Sequence, residues 1–327
     1  MTPWVERPTL TIDVARVRRG EPADLPPAAV AEAQALLGEV LAMIPRKARV
    51  LAYWLALRTG NRFGREFKAA AQVIRGNPKD IALANLSYDL VVGALGCSTV
   101  ALPTADGPVV ARNMDWWPEG PLARASYVIR CVDGDAWRFS SGGFPGAVGV
   151  VTGLSSRGFA VVLNAVTTTD PVCKTGYPVL LHLRRVMDDA ADFADALAML
   201  SKQRLTTPAL FTLAGTKNDQ RVVIERAPRR YALRWGRAGE PLVTTNDYRL
   251  LDTGNENDEW DLGRSSCGRY DRLCSLALRR TAGPAPSDEE LLFWLTDPEV
   301  RQEITAQHVL MRVASGEMKL FVPRHLV

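Results

Sequence analysis

Gly93-Ala94-Leu95-Gly96-Cys97-Ser98-Thr99-Val100-Ala101-Leu102, followed by Val109-Val110-Ala111-Arg112-Asn113-Met114-Asp115-Trp116, decides how the chain is read. Cys97 opens an apolar run of strand type, and a turn over 103–108 returns the chain into a second strand. A hairpin of this kind sets the end of the second strand beside the start of the first. Arg112 and Asp115 are therefore expected close to Cys97. A thiol beside a guanidinium and a carboxylate is an arrangement able to do chemistry. A cysteine at a strand start is otherwise a small core filler, so the rest of the chain must decide between the two.

Upstream of this stretch the pattern is mostly helical. Leu10, Ile12 and Val14 alternate with Thr11 and Asp13 as a short strand, and helices are predicted over 27–44, 48–58, 65–76 and 78–90. Pro78 suits the first turn of the last of these. Downstream, strands are predicted over 98–102, 109–115, 126–131, 136–139, 147–152 and 159–164. Helices over 178–190 and 193–203 follow, then strands over 209–214, 221–227, 231–235 and 241–245. A polar loop fills 247–266, helices cover 270–280 and 287–297, and strands at 308–314 and 318–322 close the chain. Strands come in antiparallel sets and do not alternate one-to-one with helices. The expected class is α+β, with antiparallel sheets between helix layers and an N-terminal helical segment.

The bulk numbers narrow the function. The chain has 327 residues, 47% hydrophobic and 23% charged, as in an ordinary globular protein. Its net charge of +4 is spread along the chain, so no concentrated basic patch suggests nucleic acid. The five cysteines form no CxxC pair and the three histidines, His182, His308 and His325, stand well apart. No metal site or other cofactor is expected from them. An odd cysteine count suits a reducing compartment. Residues 1–7 do not have the pattern of a secretory signal, and no apolar run reaches the roughly 18 residues that span a bilayer. The expected location is cytoplasmic.

A nucleophilic cysteine needs a base, and histidine is the usual one. The three histidines have ordinary settings here. A serine nucleophile fares worse, because Gly153-Leu154-Ser155-Ser156-Arg157-Gly158 has its second glycine one place too late for a nucleophile elbow. Another solution needs no histidine. If the bond before Cys97 is cut, Cys97 gains an α-amine with a pKa of about 7.7–8.0, which can serve as the base. Gly96 has no Cβ and tolerates the strained geometry that cleavage at its carbonyl requires. The chain then divides into 1–96 and 97–327, a heterodimer of its own fragments.

With Ala111-Arg112-Asn113-Met114-Asp115-Trp116 beside Gly96-Cys97-Ser98-Thr99-Val100-Ala101, the chain resembles the N-terminal-nucleophile (Ntn) hydrolases of the acid ceramidase and N-acylethanolamine acid amidase group. That group belongs with the choloylglycine hydrolases. Asn85-Leu86-Ser87-Tyr88-Asp89-Leu90 resembles the end of the group's helical subunit. The resemblance implies an αββα fold and autocatalytic maturation. It implies Cys97 as nucleophile, Arg112 as holder of the thiolate and Asp115 as the group orienting the new amine. Asn246, in Val243-Thr244-Thr245-Asn246-Asp247-Tyr248, would be an oxyanion donor, with Asn164 a second polar position on the substrate side. A late arginine is implied as well; Arg269 is chosen, with Arg264 and Arg272 as competitors.

The implied activity is hydrolysis of the linear amide of an N-acyl amine, such as a fatty-acid amide, through a Cys97 thioester. An acyltransferase of the penicillin type would use the same residues, and a non-catalytic protein keeping the fold is the remaining alternative. Trp116 and Trp117 could line an apolar acyl pocket or belong to the core. Ile44, Trp54, Leu55 and Leu57 lie around Arg46, Lys47 and Arg58. They fit either a weak membrane or micelle contact or packing onto the catalytic domain.

Overall fold

From Gly96 onward, strands whose residues are buried on both faces build two sheets that pack face to face. The computed structural model describes residues 2–45, 47, 50, 54, 57–91, 96–251, 261–280 and 284–327; the side chains of Val91 and of 261–264 lie outside that description. The strands are β1 (Trp4–Glu6), β2 (Thr9–Asp13), β3 (Gly96–Leu102), β4 (Val109–Asp115), β5 (Tyr127–Asp133), β6 (Ala136–Gly143), β7 (Thr152–Ser155), β8 (Phe159–Asn164), β9 (Ala209–Gly215), β10 (Arg221–Arg226), β11 (Tyr231–Trp235), β12 (Leu242–Thr244), β13 (Thr305–Arg312) and β14 (Glu317–Pro323). One sheet has the order β1-β14-β13-β4-β3-β12, the other β11-β10-β9-β8-β7-β6-β5-β2. All pairs are antiparallel except β2 with β5.

Side-chain parity sorts the core into layers. In β3 and β4, Ala101 and Val110 face the second sheet, where they meet Val162, Leu210 and Val223. Their neighbours Val100, Leu102, Val109 and Ala111 face outward onto Leu273, Leu276, Leu291 and Leu295. Those leucines lie on two helices, Asp261–Leu278 and Asp288–Leu295. The outer face of the eight-stranded sheet carries Ile129, Phe139 and Phe211 against Val179, Leu183 and Leu200, from helices Val179–Asp189 and Phe193–Lys202. The result is helix, sheet, sheet, helix: the αββα sandwich expected from the sequence.

The N-terminal segment is a helical cap over one end of this sandwich, formed by helices Pro27–Met43, Gly64–Val73, Pro78–Ala84 and Ser87–Val91. Its core joins Phe63, Phe67, Ile74, Ile81 and Leu86 to Val148 and Leu181. Its two first strands also lie at the outer edges of the sheets, β1 on one and β2 on the other. The predicted helix over 48–58 falls mostly outside the described residues.

Several expectations need correction. The strand expected over 147–152 is Thr152–Ser155 instead. The N–H groups of Val148 and Gly149 turn to the Asn85 side chain and that of Val150 to the Leu180 carbonyl, so they join no ladder. The helix expected from residue 270 begins at Asp261, despite Gly263 and Gly268; burial of Leu273 and Leu276 outweighs their weak propensity. Val14 begins a helix rather than ending a strand, because the Asp13 carboxylate caps the Ala15 and Arg16 N–H groups. A short helix, Glu119–Ala125, lies between β4 and β5 where the sequence suggested none.

Candidate active site

The hairpin β3–β4 pairs Gly96 with Asp115, Cys97 with Met114 and Thr99 with Arg112. Paired residues share a face, so Cys97 and Arg112 both point between the sheets. Arg112 Nη2 donates to Cys97 Sγ at 2.8 Å, and Nη1 to Thr152 Oγ1 of the opposite sheet at 2.6 Å. The guanidinium, fully buried, thus bridges the two sheets and ends on the thiol. Burial pushes the Cys97 thiol above its ordinary range; Arg112 pulls it down and Asp115 pushes it up. The environment therefore favours the thiol form, and a nucleophilic role for this sulfur would require a base.

Asp115 faces the helix layer. Its Oδ1 accepts from Thr305 Oγ1 at 2.6 Å. Its Oδ2 is buried with no hydrogen-bond partner among the described residues, and Arg269 Nη1 lies 3.9 Å away. Burial raises the Asp115 carboxyl, opposed by Arg269, Thr305 and Arg112. An orphaned buried carboxylate oxygen is costly. It is an acceptor held ready beside the Gly96–Cys97 peptide.

The end of β12 delivers Asn246. Its Oδ1 accepts from the Cys97 backbone N–H at 3.0 Å and from Arg269 Nη2 at 2.8 Å, and its Nδ2 donates to the Ala165 carbonyl at 2.7 Å. The side of Asn246 that meets Cys97 is therefore its acceptor, whereas the sequence reading expected its donor; the Ala165 carbonyl after β8 has taken the amide hydrogens. Among the three candidate arginines, Arg269 reaches the site, donating to the Cys97 carbonyl at 2.8 Å and to Ser98 Oγ at 3.0 Å. Burial lowers its pKa, countered chiefly by Asp115. Arg272 instead pairs with Asp297 at 2.6 Å, and the Arg264 side chain is outside the described residues.

Asn164 does not stand on the substrate side. Its Oδ1 accepts from Thr99 Oγ1 at 2.8 Å, and its Nδ2 donates to the Thr244 and Thr245 carbonyls at 3.1 Å each. It is fully buried, and its amide is spent on tying β8 to β3 and β12. Trp116 is partly buried, stacks on Tyr88 with ring centroids 6.3 Å apart, and leaves its indole N–H without a partner among the described residues.

An apolar pocket shares its walls with the cluster that encloses Cys97, although the buried Cys97 does not itself line it. Cys97, Leu36, Met114 and Leu122 form one apolar cluster that Trp116 and Phe144 pack against. Leu36, Leu122, Trp116 and Phe144 also line the pocket, together with Val40 and Ile81 of the N-terminal helices. Its empty volume is about 720 Å³, mouth included. Trp117 stands half-exposed in its wall. Of the other apolar residues noted in the first helices, Ile44 is buried and lines this pocket, while Trp54 and Leu57 are exposed, with Arg58 5.9 Å over the Trp54 ring. Arg46 and Leu55 lie outside the described residues.

Sequence reasoning missed the second rank of contacts. Thr152 holds Arg112, Thr305 holds Asp115, and Ser266 accepts the Asn246 N–H at 2.8 Å while its hydroxyl also meets Thr245 and Asp247. These partners come from strands and a helix remote in the chain, and no local motif marks them. Asn85, whose side chain holds Val148 and Gly149, lay inside the quoted 85–90 stretch but had no role attached.

The comparisons agree with this architecture. Residues 103–293, more than half of the chain, match the family described as acyl-coenzyme A:6-aminopenicillanic acid acyl-transferase. The match takes in Arg112, Asp115, Asn246 and Arg269 and begins at residue 103, downstream of Cys97. The N-acylethanolamine-hydrolyzing acid amidase of Caenorhabditis elegans is 25% identical over 235 residues, which cover 65% of this chain and 64% of that protein. Acid ceramidase of Balaenoptera acutorostrata scammoni is 24% identical over 188 residues, 50% of this chain and 47% of that one. The chain thus spans less than two thirds of the length of these relatives. The solved structure of the C. elegans amidase ortholog superposes with a TM-score of 0.53 at 20% identity, covering 67% of this chain and 92% of that chain. The chain belongs to the acyl-coenzyme A:6-aminopenicillanic acid acyl-transferase family, and with it to the N-terminal-nucleophile hydrolases of the group that holds acid ceramidase and N-acylethanolamine acid amidase.

Proposed function

We propose that the protein is a self-processing cysteine amidase that hydrolyses the linear amide of an N-acyl amine. One observation carries the reading: the Cys97 thiol sits 2.8 Å from Arg112, the N–H of the same residue is held by Asn246, and Asp115, paired across the hairpin with Gly96, has an Oδ2 that accepts no hydrogen bond among the described residues. One residue is thereby equipped at both its sulfur and its nitrogen.

In maturation, Cys97 Sγ attacks the Gly96 carbonyl carbon. The C–N bond breaks, the thiol proton ends on the Cys97 nitrogen, and Gly96 is held as a thioester. Water cleaves the thioester, giving the Gly96 carboxylate and a free Cys97 α-amine. The fragments are 1–96 and 97–327. The new amine gains Asp115 Oδ2 as a partner and stays against Asn246. In turnover the amine takes the thiol proton as Sγ attacks the substrate carbonyl. It then returns the proton to the leaving amine, and water resolves the acyl thioester. The acyl group lies in the apolar pocket walled by Leu36, Leu122, Trp116 and Phe144. Acyl transfer, with an amine in place of that water, is the second reading, favoured by the acyl-transferase family that the chain matches.

Intact mass and a denaturing gel of purified protein test the first half. The expected result is two fragments meeting at 96–97, an uncut chain for Cys97→Ala, and normal cutting for Cys131→Ala, Cys173→Ala, Cys267→Ala and Cys274→Ala. Full amidase activity from an uncut chain would overturn the reading. Incubation with an N-acyl amide and a second amine tests the second half: free acid indicates hydrolysis, exchanged amide indicates transfer.

A further inference from the structure

Two cavities flank the segment 144–149 and share one wall residue, Gly146. The first is the apolar pocket that shares its walls with the Cys97 cluster. The second lies behind it, between the N-terminal helices and the outer face of the eight-stranded sheet, walled by Ile12, Val14, Val73, Ile129 and Phe139. Its empty volume is about 610 Å³, open mouth included. Two charged groups also line it, Glu66 and Arg184, both buried and paired with each other at 2.7 Å. Gly146 belongs to the walls of both cavities. Ile74 faces the first, and its chain neighbour Val73 faces the second.

Gly146 has φ +91°, and Ile74 Cδ1 stands 3.3 Å from the place a Cβ would occupy there. The isoleucine is thus seated on bare backbone. Neither side of the contact is free to withdraw. Asn85 Nδ2 donates to the Gly146 carbonyl at 3.1 Å, and Asn85 Oδ1 accepts from Val148 and Gly149 at 2.7 and 2.8 Å. The Ile74 carbonyl accepts from Gln34 Nε2 at 2.9 Å.

We propose that Ile74, pressed on Gly146, is the end stop of the acyl pocket and sets the longest straight aliphatic chain that the site accepts. This rests on the reading of the first cavity as the acyl site. A chain entering an apolar pocket gains about fourfold in affinity for each methylene it buries. Once its tip meets Ile74, further carbons must strain the wall or remain in water. Removing the stop joins the two cavities, and the second takes the tail.

The test is the binding of a ladder of straight-chain N-acyl amides, from hexanoyl to stearoyl, to full-length Cys97→Ala protein by calorimetry. In that background the expected affinity climbs about fourfold per methylene and then breaks. Ile74→Val deletes the very methyl that rests on Gly146 and should move the break to a longer chain. Ile74→Ala should move it further. Adding Ala70→Leu, which refills the second cavity from its own wall, should restore the original break. An unchanged break in Ile74→Val and Ile74→Ala overturns the proposal; should Ile74→Ala not fold, Ile74→Val alone decides. Leu122→Trp fills the first cavity. If it leaves binding unchanged, the acyl-pocket reading itself has failed. If it abolishes binding while the Ile74 variants keep the same break, only the end stop has failed.

Discussion

Arg269 Nη2 donates to Asn246 Oδ1 at 2.8 Å, and through that oxygen the late helix reaches the nitrogen of Cys97, whose N–H shares the same acceptor at 3.0 Å. The other arm of the fork, Nη1, holds the Cys97 carbonyl and Ser98 Oγ. A lysine offers a point charge in place of a planar fork and cannot meet all three acceptors. Arg269→Lys should slow self-cleavage at 96–97 by at least about tenfold, as loss of one charged hydrogen bond worth about 1.5–3 kcal/mol requires. A time course of fragment appearance measures it. Arg272→Lys, at a residue paired with Asp297, should cut at the normal rate.

Asn246→Ala should lower kcat by at least about tenfold with KM nearly unchanged, because it removes the acceptor shared by the Cys97 nitrogen and Arg269 Nη2, a hydrogen bond to a charged group being worth about 1.5–3 kcal/mol. The measurement belongs to the cut fraction, counted with a thiol-directed acylating probe. Asn246→Asp should be no better, since an ionised carboxylate cannot donate to the Ala165 carbonyl that Nδ2 now serves. Near-normal kcat in cut Asn246→Ala protein would remove Asn246 from the chemistry.

Asn164→Ala should cost stability instead of turnover. It strands Thr99 Oγ1 and the Thr244 and Thr245 carbonyls, each orphaned buried group costing about 1–3 kcal/mol. With three such groups, a loss of at least about 3 kcal/mol in urea unfolding is expected by the same reckoning, with kcat per cut molecule kept within a few-fold. A collapse of kcat at unchanged stability would return Asn164 to the substrate.

Asp89 gives a pH dependence. It accepts from Val179 N–H at the start of helix Val179–Asp189 and from Thr207 Oγ1 at 2.8 Å. Burial nonetheless pushes it up to about 7. The unfolded chain releases this proton near pH 4, so between about 4 and 7 the folded state holds an extra proton and this group makes stability fall as pH rises. Buried His182 and His308, both driven down to about 3, act in the opposite sense below about 6.5. The Asp89 share is therefore read as the difference between wild type and Asp89→Asn. That difference should widen towards neutral pH in favour of Asn, by up to about 1.4 kcal/mol per pH unit. Parallel curves would show that Asp89 does not titrate in this window.

The hairpin was readable because β3 and β4 are adjacent in sequence and joined by a short turn, so proximity of Arg112 and Asp115 to Cys97 followed from the register alone. The two faces were not. Parity places Arg112 with the thiol and Asp115 across the sheet with Arg269, a split that depends on where each layer's partners lie. Asn246 was placed by its motif, yet the direction of its amide was fixed by Ala165, a residue 81 positions away. Asn164 looked like a free polar strand end because the threonines that consume it, Thr99, Thr244 and Thr245, come from other strands. Helix Asp261–Leu278 was read too short because its first half is poor in helix formers, and only tertiary packing makes it helical.

The edge positions of β1 and β2 bear on what the cut does to the protein's durability. Residues 1–96 give each sheet one of its outermost strands, Trp4–Glu6 on Glu317–Pro323 and Thr9–Asp13 on Tyr127–Asp133. Tyr88 and Asn85 fasten the far end of the same segment to Pro208, Val148 and Gly149. In the intact chain this closure is intramolecular; after the proposed cleavage it would depend on two molecules meeting again, without the effective concentration that a tether supplies. The mature enzyme would then persist by the slowness of its opening, and chains separated in denaturant would carry no instruction sufficient to rebuild both sheets. Maturation would act as a ratchet, leaving a protein that can be made only once.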